Sequence, residues 1–312
     1  MDLSTIAKDT KIILTSGCSY SVMFAHLNAH FKNVQLINLG EGGRSNKWIA
    51  QSLIYALEQL KDHPRENLFV MPMFTSVDRQ DLFVDKHSNK FHKKLDFLDF
   101  ADPVFFTEGF SYRQYKWYNH IIEGDSRYDP DRMTGLLSMT NLDKNSESEY
   151  VFEEFAGKYY TYFHNNFAAF DYTLQNIIAL QNYCKLSNTN YLMLSWQDIF
   201  HDTSFDKFFI VGQTYDGNQF NHCDYSTLMK RIDCYPELRY LYNQIDFSNW
   251  WFNDTERCST GGLADWCIEN GPGLFGSEKD NCHPTKPGYK EFARKVLAPL
   301  VTQKTGWSTI QR

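Results

Sequence analysis

The sequence predicts an α/β protein, a three-layer α/β/α sandwich in which helices flank a central parallel sheet. Three observations carry the prediction. Apolar strand-like runs alternate with helical stretches over the first 74 residues. Those runs are continuously apolar, as strands buried on both faces are. The third is length: 312 residues exceed the usual single-domain range but suit one domain carrying long insertions.

The elements follow in order. Residues 11–15 form the first strand, with Ile12, Ile13 and Leu14 its apolar core. The stretch 20–31, YSVMFAHLNAHF, has helical length and composition, and residues 33–39 form a second strand. Residues 47–60 follow as a helix, with Ile49, Leu53, Ala56, Leu57 and Leu60 on one face. Residues 67–74 make a third strand, which implies a parallel sheet with right-handed crossovers. From about 81 to 150 the chain is polar, charged and aromatic, with few clean periods, and reads as an insertion. A helix resumes near 152 with Phe163, Phe167, Phe170, Leu174 and Ile177 on one face, leading to a fourth strand at 190–196. Residues 199–278 read as a second irregular insertion. The chain closes in a helix whose face is Tyr289, Phe292, Ala293, Val296, Leu297 and Leu300, with Pro287 in its first turn.

Composition narrows the function classes. A formal net charge of −7 argues against a nucleic-acid partner, which would need clustered Lys and Arg. Seven cysteines, an odd number with no CxxC pair, point to a reduced compartment. The set His222, Cys223, Cys258, Cys267 and Cys282 lacks any metal-ligand spacing, so neither a metal nor a cofactor is expected. No signal-peptide pattern and no run of 18 apolar residues occur, which predicts no membrane partner and a cytoplasmic or virion-associated location. Oligomeric state has no signature. Aromatic residues make up 16% of the chain, a composition that permits a sugar or acyl site.

In open α/β sheets ligands bind beyond the carboxyl ends of the strands, so the strand ends carry the chemistry. The first ends in Gly17-Cys18-Ser19. The second ends in Asn38-Leu39-Gly40-Glu41-Gly42-Gly43-Arg44-Ser45-Asn46, and the third in Thr75-Ser76-Val77-Asp78-Arg79. The last loop before the final helix holds Asp280-Asn281-Cys282-His283-Pro284. Each has an ordinary structural use: Ser19 as a helix cap, the glycines as a tight turn capped by Ser45 or Asn46, Asp280 and His283 as loop residues. Their joint order is what points to chemistry.

That order resembles the SGNH, or GDSL-type, hydrolase family. Its first block is matched by Gly17-Cys18-Ser19, its second by Asn38-x-Gly40-x-x-Gly43-x-Ser45, and its last by Asp280-x-x-His283-Pro284 followed by Gly288-Tyr289. GRSNKWI and FTSVDRQD further resemble a branch of the family common in bacteriophage genomes. The blocks span the sheet scaffold, roughly half the chain. The resemblance implies a flavodoxin-like sheet and a Ser19–His283–Asp280 triad. Ser19 attacks an ester carbonyl, His283 takes its proton, and Asp280 fixes the imidazole tautomer. The backbone N–H groups of Ser19 and Gly43 are the expected oxyanion donors.

Two positions depart from the family. Cys18 stands where the family has Asp. No Asn occupies the family's Gly-x-Asn-Asp position after strand three, where its amide helps bind the oxyanion. Ser76 is the substitute favoured over Val77 because a hydroxyl donates and a valine does not, and Asn46 is the other candidate amide. Cys18 itself is a poor candidate nucleophile, since strand alternation turns it inward when Ser19 faces out. The expected function is thus ester hydrolysis, with an O-acetyl ester of a carbohydrate as substrate. The alternatives are a glycan-binding or virion structural protein on the same scaffold, favoured by the missing Asn, and an O-acyltransferase.

Overall fold

The computed structural model describes residues 3–40, 44–77, 79–85, 105–106, 110–111, 134–139, 162–201, 230–255, 259–276 and 283–310. Within 80–139 the description is of backbone pairing. The first half builds the sheet: β1 (Lys11–Gly17), α1 (Phe24–Leu27), β2 (Val34–Asn38), α2 (Asn46–Gln59) and β3 (Leu68–Phe74). β4 (Gln80–Asp85) pairs antiparallel with β7 (Thr134–Met139), and β5 (Phe105–Phe106) with β6 (Phe110–Ser111). Four stretches of strand thus lie inside the first insertion, where no period marks them. α3 (Asn166–Leu186) leads to β8 (Asn190–Tyr191) and β9 (Leu194–Ser195). The second insertion contains α4 (Arg231–Cys234), α5 (Arg239–Tyr242) and α6 (Leu263–Glu269). The chain then closes with α7 (Lys286–Phe292), a π turn (Ala293–Leu297) and α8 (Ala298–Thr305).

The central sheet is parallel, in the order β2-β1-β3-β8, with β9 carrying the fourth strand onward beside β3. The gap between β8 and β9 is a change of partner. The Leu192 N–H donates to Val70 O of β3 at 3.0 Å, whereas the Met193 N–H donates to Asn249 O at 2.8 Å and Met193 O accepts from Trp251 N at 2.9 Å. Successive residues of a strand address opposite neighbours. Met193 therefore recruits residues 249–251 as a one-bridge fifth position, parallel through Trp250.

The same alternation sorts the core into two faces. Ile12, Leu14, Leu68, Val70 and Phe74 face one layer, where they meet Ile49, Leu53 and Leu57 of α2 and Phe170, Leu174 and Ile177 of α3. Ile13, Phe69, Met71 and Met73 face the other, packing on Met23, Phe24 and Leu27 and on Tyr289, Phe292 and Leu297. Helices thus lie on both faces of a mostly parallel sheet. The second insertion feeds both layers: Trp250 and Phe252 join the first cluster, Leu263 and Trp266 the second.

Several boundaries differ from the sequence reading for identifiable reasons. α3 begins at Asn166 because the Asn165 side chain accepts from the Phe167 and Ala168 N–H groups, so Phe163 precedes the helix and is exposed. The stretch 20–31 is a 3₁₀ turn (Ser19–Met23), the single α turn α1 and a second 3₁₀ turn (Asn28–His30), not one helix. The tight i→i+3 bond from Ser21 N to Cys18 O sets that start. α3 ends in a Schellman turn: Thr189 N donates to Cys184 O, Asn188 N to Lys185 O, and Asn188 takes the left-handed conformation at φ 53°. In the last helix the π turn widens the coil just before Pro299, whose ring would crowd the carbonyl one turn back.

Candidate functional site

Ser19 opens the 3₁₀ turn at the carboxyl end of β1, and His283 sits just before α7. Their side chains meet: Ser19 Oγ lies 2.7 Å from His283 Nε2, across 264 residues of sequence. Both are half-buried, so the pair sits at the surface of the rim and not inside the core. As the first residue of a 3₁₀ turn, Ser19 has a backbone N–H with no carbonyl to meet within the turn.

The local sequence explains this placement. Gly40 lies against the first loop so closely that a Cβ would collide with Ser21 Oγ and Cβ and with the Gly17 amide. Asn38 completes the contact: its Oδ1 accepts from Gly40 N at 2.9 Å and its Nδ2 donates to Ser21 O at 3.2 Å. The loop after β2 therefore moulds the loop that carries Ser19. On the other side, Thr285 caps α7 by accepting from Gly288 N, and a Cβ on Gly288 would strike Leu274 O. The segment before α7 is held by Gly276 N donating to His283 O at 2.9 Å and Thr285 N donating to Leu274 O at 2.9 Å.

The other predicted residues fall as follows. Gly43 and Asp280 lie outside the described residues, as does Cys282. Ser76 follows β3 and is buried at the rim, three residues past Met73, which pairs with Gly17. Asn46 is a correction. Its Nδ2 donates to Thr75 O and to Thr173 Oγ1, both at 3.1 Å, and its Oδ1 accepts from Thr75 N at 2.7 Å. Both amide hydrogens are committed inside the fold, so Asn46 clasps α2 to β3 and has no donor left for an oxyanion. The cap of α2 is Ser45, whose side chain accepts from Lys47 N and Trp48 N. Cys18 is wholly buried within the second core cluster and faces away from the rim. Among the described residues no three His, Cys, Asp or Glu side chains converge as a metal site would require.

Sequence reasoning missed two further features. Tyr20 packs its ring on His283 at 4.8 Å between centroids, and Trp196 backs Tyr20 at 4.6 Å. Asp198 and His201 repeat the Asp-x-x-His spacing at the end of the fourth strand, with His201 Nδ1 2.8 Å from Asp198 Oδ2. Here the carboxylate is a bracket: it also accepts from the N–H groups of Phe200, His201 and Gly261, and both side chains are almost fully buried. The repeated spacing was visible in the sequence, but burial separates a bracket from a reactive pair.

Burial also governs the cysteines. Cys184 and Cys267 are free thiols, each pushed up to about 12 by desolvation, which holds them as inert core groups. Fold and site together define an α/β protein whose parallel sheet presents a hydrogen-bonded serine and histidine at its carboxyl rim. Comparison of the chain with protein-family models, curated proteins and solved structures finds no match to any of them.

Proposed function

We propose that the protein is a serine hydrolase of the SGNH type that cleaves carboxylic esters. One observation carries the reading: Ser19 Oγ and His283 Nε2 at 2.7 Å, on half-buried residues at the carboxyl rim of a parallel sheet. An imidazole at that distance takes the hydroxyl proton as oxygen attacks the ester carbonyl, and it returns the proton to the departing alkoxide. Water then attacks the acyl-enzyme through the same base. The strand order β2-β1-β3-β8 with a fifth position at residues 249–251 supports the fold assignment. Asp280 is the proposed orienting carboxylate, and the Ser19 and Gly43 N–H groups with the Ser76 hydroxyl are the proposed oxyanion donors.

The substrate we propose is an O-acyl ester of a carbohydrate. Its support is narrower than composition suggested, because many of the described aromatic residues are core: Phe24, Phe69, Phe74, Phe170, Phe200 and Phe292 are fully buried. Sugar-facing aromatics on this reading belong to the insertions. A glycan-binding role without turnover is favoured by one observation, that the amide of Asn46, the candidate oxyanion donor, is committed to Thr75 and Thr173.

One experiment separates the two. Release of p-nitrophenol from p-nitrophenyl acetate is expected from the wild type, with a loss of about a thousandfold or more in Ser19→Ala. Equal rates in the two proteins would remove the serine mechanism.

A further inference from the structure

We infer that Arg79 selects the substrate by charge: the ester is carried on an acidic sugar, and this guanidinium binds the carboxylate of that sugar. The ester rests on the serine-hydrolase reading; the anion does not. Arg79 follows β3 at the carboxyl rim, where its backbone N–H donates to Ser76 O at 3.4 Å. Its Nη1 donates to Arg44 O, also at 3.4 Å, one residue beyond Gly43. The side chain thus reaches from the turn that carries Ser76 to the loop that carries Gly43, both proposed to supply oxyanion donors. That loop is fixed against the Ser19 turn. The Arg44 guanidinium lies 4.6 Å over the Trp48 ring, Trp48 Nε1 donates to Leu39 O at 3.2 Å, and the next residue, Gly40, is pressed against Gly17 and Ser21.

Charge bookkeeping singles this residue out. Among the described residues no carboxylate pairs with Arg79, whereas Arg239 pairs with Asp233 and Arg294 with Glu291. Arg65 bonds to Lys61 O past the carboxyl end of α2, where the helix dipole favours a cation. Arg79 instead sits by the residue before the Ser45 cap, at the positive end of the same helix, where a cation is disfavoured. A guanidinium stays charged at any working pH and offers five N–H donors in a planar fork. One long bond to a neutral carbonyl leaves most of that fork unused. Arg79 is also half-buried, and a partly desolvated charge gains far more from an anion than from a carbonyl. With a formal net charge of −7 the chain as a whole repels anions, so one that binds here is recognised locally. A carboxylate meets the fork with two parallel bonds, which a sugar hydroxyl does not.

The test follows acetate released from per-O-acetylated methyl glucuronoside and from the matching glucuronamide, in which a neutral amide of nearly the same shape replaces the carboxylate. Wild type is expected to favour the acid by about tenfold or more in kcat/KM, and Arg79→Gln to bring the two substrates within about twofold of each other. Arg79→Lys keeps the charge but not the fork, so it should retain only part of the preference. Raising the salt from about 0.05 M to about 0.5 M should narrow the wild-type preference, a readout that needs no variant to fold. Equal wild-type rates on acid and amide, or a preference that survives Arg79→Gln, would overturn the inference. A second arm needs no turnover: Ser19→Ala should bind the acid about tenfold or more tighter than the amide, and Ser19→Ala combined with Arg79→Gln should bind the two alike. If Ser19→Ala releases acetate as fast as wild type, the hydrolase reading fails, and the binding arm still decides the role of Arg79. If acetate release depends on Ser19 but acid and amide bind alike, only the role of Arg79 fails.

Discussion

At the scale of single residues, Cys18 is where the chain leaves the family it resembles, and its surroundings supply a physical reason. The side chain is fully buried in a cluster with Met23, Phe24 and Leu27. A small thiol fits there as an apolar group, whereas a carboxylate would be stripped of water. Cys18→Asp is accordingly expected to lose about 3 kcal/mol or more at pH 7, the cost of an uncompensated buried charge. Burial raises the folded-state carboxyl above its unfolded value, so the charge penalty shrinks as pH falls from that raised value towards about 4 and is absent below it, where the group is neutral in both states. Urea midpoints at pH 7 and pH 4 measure this, and a variant as stable as wild type at both would refute it. Strand alternation made the inward turn of Cys18 legible in the sequence. It could not reveal the fate of Asn46, because an amide one residue beyond a cap looks the same whether it faces a substrate or, as here, Thr75 and Thr173.

At the scale of elements, long periodic segments were legible and short ones were not. The strands at 11–17, 34–38 and 68–74 and the helices at 46–59 and 166–186 carry continuous apolar runs or a 3.6-residue period. The fifth sheet position carries neither, since one bridge through Trp250 has no period to detect. That position is held instead by Asp246. Burial alone would raise its carboxyl, but bonds from Ser248, Lys185, Asn249 and Tyr191 outweigh burial and hold it well below the usual carboxylate range. A depressed folded-state value means that the stability it contributes is complete above the unfolded value of about 4 and is lost as pH falls below it. Asp246→Asn should therefore be less stable than wild type at pH 7, with the gap closing progressively as pH drops from about 4 towards 2. A gap that is constant across that range would show that the carboxylate charge is not what matters.

At the scale of the whole molecule, the site joins the two ends of the described chain. Ser19 follows the first strand and His283 precedes the last helix, so their contact forms only after α7 has docked on the second face of the sheet. Such long-range closure is late and cooperative in folding. Phe292→Ala, which empties a fully buried site on α7, is expected to cost about 3–5 kcal/mol. In urea, the loss of the proposed esterase activity and the loss of helical circular dichroism should then share one midpoint, shifted down together. Activity that disappears well before the helices would show that the closing segment separates from a sheet that stays folded. The order of the blocks in the sequence made the pairing of Ser19 with His283 legible, because both fall at the rim where loops converge. Tyr20 was hidden, because a tyrosine after a serine announces nothing until the fold brings an imidazole to its face.

The tail beyond α8 has a practical consequence. Thr309 bridges to Phe31, Ile310 N donates to His30 O, and Lys11 lies over the ring of Trp307. All three contacts are at the amino ends of β1 and β2, the opposite pole from Ser19. Ile310 is 38% exposed there. A bead or electrode coupled through a reactive side chain introduced at that position would hold the protein by its base, with the serine turned outward to the solution.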